Sequence, residues 1–112
     1  RLGRTCWKRG MVMDILHQGD ILKIEKVRHS VLIVSKDFFN SGGEIIGCPI
    51  LEKSVPSPLH ILVTAEENRG YVQCEKLALL DLSVRGYKKV DRLPVSELLN
   101  VLDAIQSIFE YI

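Results

Sequence analysis

The stretch YVQCEKLALLDLSVRGYKKVDRLP, Tyr71 to Pro94, decides how this chain folds. Its first ten residues, Tyr71 to Leu80, are largely apolar and predict one long strand. Asp81 follows as the cap of a short turn, DLSVRG, that Gly86 ends. A cationic run comes next, with Lys88, Lys89 and Arg92. Pro94 then fits the first position of a helix, where the N–H it lacks has no partner anyway. Beyond it Val95, Leu98, Leu99, Leu102, Ile105, Ile108, Phe109 and Ile112 recur at helical spacing, while Glu97, Asn100, Asp103, Gln106 and Glu110 fall largely elsewhere. One amphipathic helix over 94–112 is expected, its apolar stripe packed on a sheet or on a second subunit.

Upstream, the pattern is one of short strands. ILKIEK (21–26) reads as a half-buried strand and SVLIVS (30–35) as a central one, with a gap so short that it implies a hairpin. KDFFN (36–40) is expected to form one helical turn capped by Ser35, and Ser41-Gly42-Gly43 a turn. EIIGCPIL (44–51) is a third strand, in which Pro49 suggests a bulge or a sheet edge. EKSVPSPL (52–59) reads as an extended loop, HILVTA (60–65) as a fourth strand, and 66–70 as a turn. Short strands followed by one terminal helix predict a mainly β fold with a C-terminal α-helix, a small barrel with a helical lid.

Composition narrows the function classes. A chain of 112 residues with 46% hydrophobic and 26% charged content is that of an ordinary globular protein. Arg1, Arg4, Lys8 and Arg9 place four positive charges before Met11; the remainder carries 11 basic against 14 acidic residues, a net of −3. The body is therefore not a basic protein, and any RNA contact must rely on a local patch. Residues 1–12 are expected to form a basic arm, weakly ordered or non-native, ahead of one domain over 13–112. Cys6, Cys48 and Cys74 make neither a disulfide framework nor a zinc pattern. Cys48 and Cys74 are expected to be buried and reduced, which fits a cytoplasmic setting. No apolar run approaches the ~20 residues that span a membrane, so no membrane partner is expected.

No Gly-rich phosphate loop, HExxH, CxxC or nucleophile elbow occurs, so no metal and no cofactor is expected. What remains is a set of cations, an imidazole and an acid: Arg28-His29 before the second strand, Lys53 and Ser54 in the loop after the third, Gln73 and Glu75 on the fifth, and Lys88-Lys89 in the basic run.

GDI at 19–21, SVLIVSKDFFN at 30–40, CPI at 48–50 and the quoted block at 71–94 with its terminal helix together resemble the MazF/PemK family of toxin ribonucleases. The resemblance covers nearly all of residues 14–112. It implies an SH3-like barrel, a homodimer, an antitoxin partner that occupies the RNA groove, and metal-free cleavage of single-stranded RNA with the 2′-hydroxyl as nucleophile. Such chemistry needs a base for the 2′-OH proton, a cation for the phosphorane and a proton for the leaving 5′-oxygen.

The chain departs from the family pattern where those groups sit. The family's R-P pair reads His29-Ser30, with Arg28 one residue earlier; its P-x-T motif reads Pro49-Ile50-Leu51; its R-x-D motif reads Gln73-Cys74-Glu75. On this basis His29 and Glu75 are expected to transfer protons and Arg28 to hold phosphate. Gln73, Lys53, Ser54, Lys88 and Lys89 are expected to contact RNA. Successive strand residues face opposite ways, so Arg28 and His29 are not expected to serve one groove together if the strand has begun there. Losing one charge-stabilising donor typically costs roughly 2.7–4 kcal/mol in the transition state, so weak, altered or absent cleavage is expected. Two rivals follow: the same fold without chemistry, as an antitoxin- or nucleic-acid-binding module, and a gyrase poison like the CcdB toxins, which share the barrel-plus-helix architecture.

Overall fold

The structure, a computed structural model, describes residues 15–109. Its elements are β1 (Asp20–Ile24), β2 (Ser30–Ile33), α1 (Asp37–Asn40), β3 (Glu44–Leu51), β4 (His60–Thr64), β5 (Arg69–Gln73), β6 (Ala78–Asp81), β7 (Tyr87–Arg92) and α2 (Val95–Ile108). The strands form one antiparallel sheet in the order β4-β5-β3-β2-β1-β7, with β6 also paired to β3.

Alternation along the strands sorts side chains into two clusters. Ile21, Leu32, Cys48, Ile50, Val63 and Val72 point to one face, where Leu98 and Val101 of α2 cover them. Leu22, Ile24, Val31, Ile33, Ile45 and Tyr87 fill a second cluster on the other face. The sheet curls until its ends meet. Asp91 on β7 accepts hydrogen bonds from the Glu67 amide (2.9 Å) and the Asn68 side chain (3.3 Å), and Asn68 accepts one from Ser30 Oγ (2.8 Å). Burial works against the Asp91 carboxylate, but the Glu67 and Arg92 amides and Asn68 outweigh it and hold the carboxyl below its usual range. The result is a small SH3-like barrel with a C-terminal helix.

Several expectations change. The long strand over 71–80 is two strands, because a turn at 74–77 interrupts it, closed by the Lys76 amide donating to the Gln73 carbonyl (3.0 Å). β5 pairs with the last residues of β3 and β6 with the first, so the interruption lets one edge follow the whole of a curved strand. Pro49 lies in an interior strand, but between Gly47, the last partner of β6, and Ile50, the first of β5. Its missing N–H costs little where no ladder runs on that side.

The cationic run is strand β7. The β1 and β2 strands are shorter than expected, and the hairpin joining them puts Lys26 in the left-handed region at φ 68°. Ser35 does not cap α1; its hydroxyl bonds Asn40 Oδ1 (2.5 Å) and accepts the Ile46 amide (3.0 Å), stitching α1 to β3. Pro94 is the cap of α2 rather than its first residue. The covered stripe of α2 is Leu98, Val101, Leu102 and Ile105, while Val95, Leu99, Ile108 and Phe109 are exposed. The expected arm at 1–12 and Ile112 lie outside the described residues.

Candidate functional site

The outer face of β3, β5 and β4 carries the polar groups. Alternation sends Val72 and Ile61 inward, so Gln73 and its cross-strand partner His60 share the other face. The β3–β4 loop returns over this face and brings Ser54 and Val55 to His60. The turn after β5 brings Glu75 there from the other side.

Four side chains meet within hydrogen-bond distance. His60 Nε2 lies 2.9 Å from Glu75 Oε2. His60 Nδ1 lies 2.7 Å from the Val55 carbonyl and 2.8 Å from Ser54 Oγ. Gln73 Nε2 donates to Ser54 Oγ and to the Tyr71 carbonyl, both at 3.1 Å. The Glu75 hydrogen bond, then the Val55 carbonyl, raise the His60 pKa above 6.5 against the opposing effect of burial. The same bond from His60 holds Glu75 below its ordinary 4.5. His60 has 9% of its side chain exposed and Glu75 38%, so the carboxylate is the solvent-facing member of the pair.

The sequence-predicted residues divide between this cluster and three other places. Ser54, Gln73 and Glu75 come together; Lys53 is exposed beside Ser54 in the loop. Arg28, exposed, and His29, half-buried, precede β2, and the register gives His29 rather than Arg28 the face of Gln73. Ser30 pairs with Ile50 and Ile50 with Val72, which places His29 level with Leu51 and Tyr71. Two strand spacings across and about four residues along separate it from Glu75, on the order of 15 Å, so the expected His29–Glu75 couple does not form. Lys88 and Lys89 lie on β7, at the far end of the strand order. Lys89 Nζ is 3.3 Å from Asp20 Oδ2, so that cation is engaged inside the fold.

His60 is the residue that sequence reading passed over. Its only signal was position: an imidazole opening a strand directly after a proline-rich loop. The cysteines flank the site without entering it. Burial pushes the Cys48 thiol up to about 12 and Cys74 to about 11, which leaves both poor nucleophiles. Among the described residues, no group of three or more His, Cys, Asp and Glu side chains is arranged to hold a metal ion, and no helix is long and apolar enough to cross a membrane.

A family model described as "PemK-like, MazF-like toxin of type II toxin-antitoxin system" matches residues 11–109. The chain belongs to this toxin family. Solved structures agree in fold. The MazE–MazF complex of Deinococcus radiodurans (Form-II) matches with a TM-score of 0.79 at 18% identity, over 88% of this chain and 99% of that one. An endoribonuclease from Mycobacterial species matches with a TM-score of 0.75 at 14% identity, over 87% and 93%. An endoribonuclease in complex with its cognate antitoxin, also from Mycobacterial species, matches with a TM-score of 0.74 at 13% identity, over 84% and 94%. No curated protein sequence gives a significant match. Within the family pattern, the acid of the R-x-D position is present as Glu75 and is held by an imidazole; the hydroxyl absent from Leu51 is present nearby at Ser54.

Proposed function

We propose that this family member is a toxin that cleaves single-stranded RNA without a metal, at the wall formed by Ser54, Gln73 and Glu75. The observation that carries the reading is the family match over residues 11–109. The outer oxygen of Glu75 accepts the proton of a ribose 2′-hydroxyl. The 2′-oxygen bonds to phosphorus, the P–O5′ bond breaks, and the leaving 5′-oxygen takes a proton from water, which the Glu75 carboxyl then restores. One fragment ends in a 2′,3′-cyclic phosphate and the other in a 5′-hydroxyl. Lys53 on the loop and Lys76 beside Glu75 are the nearest exposed cations in sequence for the phosphorane. His29 holds the RNA backbone farther along the same face.

The partners follow from the same reading. An antitoxin covers this face, as the relatives solved in complex with one suggest. A second copy packs on exposed apolar side chains of β4 and α2, among them Leu62, Leu99 and Ile108. The setting is the cytoplasm, where both buried thiols stay reduced.

One observation favours a second reading, a binding module without chemistry. Gln73, at the position of a family arginine, is buried and its amide is spent on Ser54 and Tyr71, so it brings no charge to a phosphorane. Incubation of the purified protein with long single-stranded RNA and a chelator separates the two. Fragments ending in 2′,3′-cyclic phosphate establish cleavage; intact RNA that is still bound establishes the module.

A further inference from the structure

We propose that His60 is a positioning residue of this site: through both ring nitrogens it fastens the β3–β4 loop to the β5–β6 turn, so the wall is held tightest while His60 is an imidazolium and loosens when the ring loses its proton. The inference rests on the RNA-cleaving reading above and adds the group on which assembly of that site depends.

The geometry carries it. A neutral imidazole has one donor nitrogen and one acceptor nitrogen. Both of the groups closest to this ring along its nitrogens, the Val55 carbonyl at 2.7 Å and the Glu75 carboxylate at 2.9 Å, can only accept. The tautomer protonated at Nδ1 would turn a lone pair on Glu75; the one protonated at Nε2 would turn a lone pair on Val55. Only the doubly protonated ring satisfies both. Losing that proton therefore costs one of the two contacts, and a ring left protonated at Nε2 keeps the loop only through the Ser54 hydroxyl, 2.8 Å from Nδ1, which must then turn to donate.

The loop has little else to hold it. Residues 52–56 lie outside the ladders, and among the described residues their bonds to the rest of the fold run from Ser54 and Val55 to His60 and Gln73. Only Gln73–Ser54 is independent of the imidazole. The charged groups that face His60 both stand on the β5–β6 turn: Glu75, which favours the proton, and Lys76, which opposes it. The loop itself supplies a carbonyl and a hydroxyl. With His60 only 9% exposed and both nitrogens engaged, it is placed to hold Ser54 and Glu75 rather than to touch RNA.

The test uses the full chain from pH 5 to pH 9. Nitrogen-15 NMR follows the His60 ring, amide hydrogen exchange follows residues 52–55, and RNA cleavage is measured with chelator present. The expected result is one shared midpoint above the ordinary histidine value. Loop exchange should accelerate and cleavage fall by about tenfold per pH unit beyond it. In Glu75→Gln the midpoint of ring and loop should move down together. Loop protection that ignores pH while the ring titrates, or a midpoint unmoved in Glu75→Gln, overturns the proposal. Intact RNA with a loop that still follows His60 overturns the cleavage reading and leaves the clamp standing. Cleavage with a loop indifferent to His60 does the reverse.

Discussion

Two charged clusters tie this barrel together, one at each side of the sheet, and they are built differently. Around Asp20, a fully buried carboxylate meets Arg92 Nη1 at 2.7 Å, Lys89 Nζ at 3.3 Å and the His17 amide at 2.9 Å. The two cations, an ammonium and a guanidinium, both come from β7. Around His60, the cation is an imidazole and its partners come from a loop and a turn. The first cluster joins strand to strand and sets two cations on one buried carboxylate. The second joins segments outside the ladders and depends on one proton. The family's chemistry is expected where the structure is conditional rather than where it is permanent.

The largest effect is predicted on the Asp20 side. Replacing Arg92 and Lys89 together by Met strands a buried carboxylate without a cation, and should cost about 3–5 kcal/mol in urea unfolding. A loss below about 1 kcal/mol would mean that the cluster does not close the β1–β7 edge. Next comes Gly70→Ala on β5, beneath the His60 wall. A Cβ there would sit 2.6 Å from the Leu51 carbonyl oxygen, so β3 and β5 must part, at about 1–3 kcal/mol. Near-neutral behaviour would show that this wall is softer than its strand pairing implies.

A pH series sharpens the contrast further. The stabilisation His60 gains from pairing is complete below 6.5 and is lost as pH rises through its raised value. That of Glu75 is complete above 4.5 and is lost as pH falls through its lowered value. The difference in melting temperature between the parent and Glu75→Gln should therefore be greatest between pH 4.5 and 6.5 and shrink on both sides. The smallest effect is expected at the helix. Glu97 accepts from the Thr64 amide at 2.8 Å and the Thr64 hydroxyl at 2.5 Å, docking α2 on β4. Glu97→Ala should cost about 0.5–1.5 kcal/mol without changing either cluster.

The same contrast explains what could be read from the sequence. Strands β1 to β4 and the helix announce themselves because their apolar residues keep a regular period. β7 does not. Asp91 pairs with Ile21 but Lys89 with Leu22, so a bulge at Val90 breaks the alternation. Its cations look like a solvated face until Asp20, 72 residues away for Arg92, is seen to consume them. The cluster around His60 is hidden for a related reason. Ser54, His60, Gln73 and Glu75 were legible only as separate polar residues, because what unites them is a loop folded back and a strand interrupted at 74–77. Glu75 and Gln73 could be proposed from the family pattern, and Ser54 as a polar loop residue beside Lys53. Their partner His60 could not, since no spacing rule links a loop residue to the opening of the next strand.

The most direct measurement is a comparison of single-turnover RNA cleavage by Glu75→Gln and His29→Ala, alongside RNA binding by each. If the wall at Ser54, Gln73 and Glu75 is the reacting centre, Glu75→Gln should lose about 100-fold or more in rate with binding retained. His29→Ala should instead weaken binding while its rate at saturation stays within a few-fold of the parent. The reverse pattern, with full rate in Glu75→Gln and none in His29→Ala, would place the chemistry at the mouth of β2 and contradict this assignment.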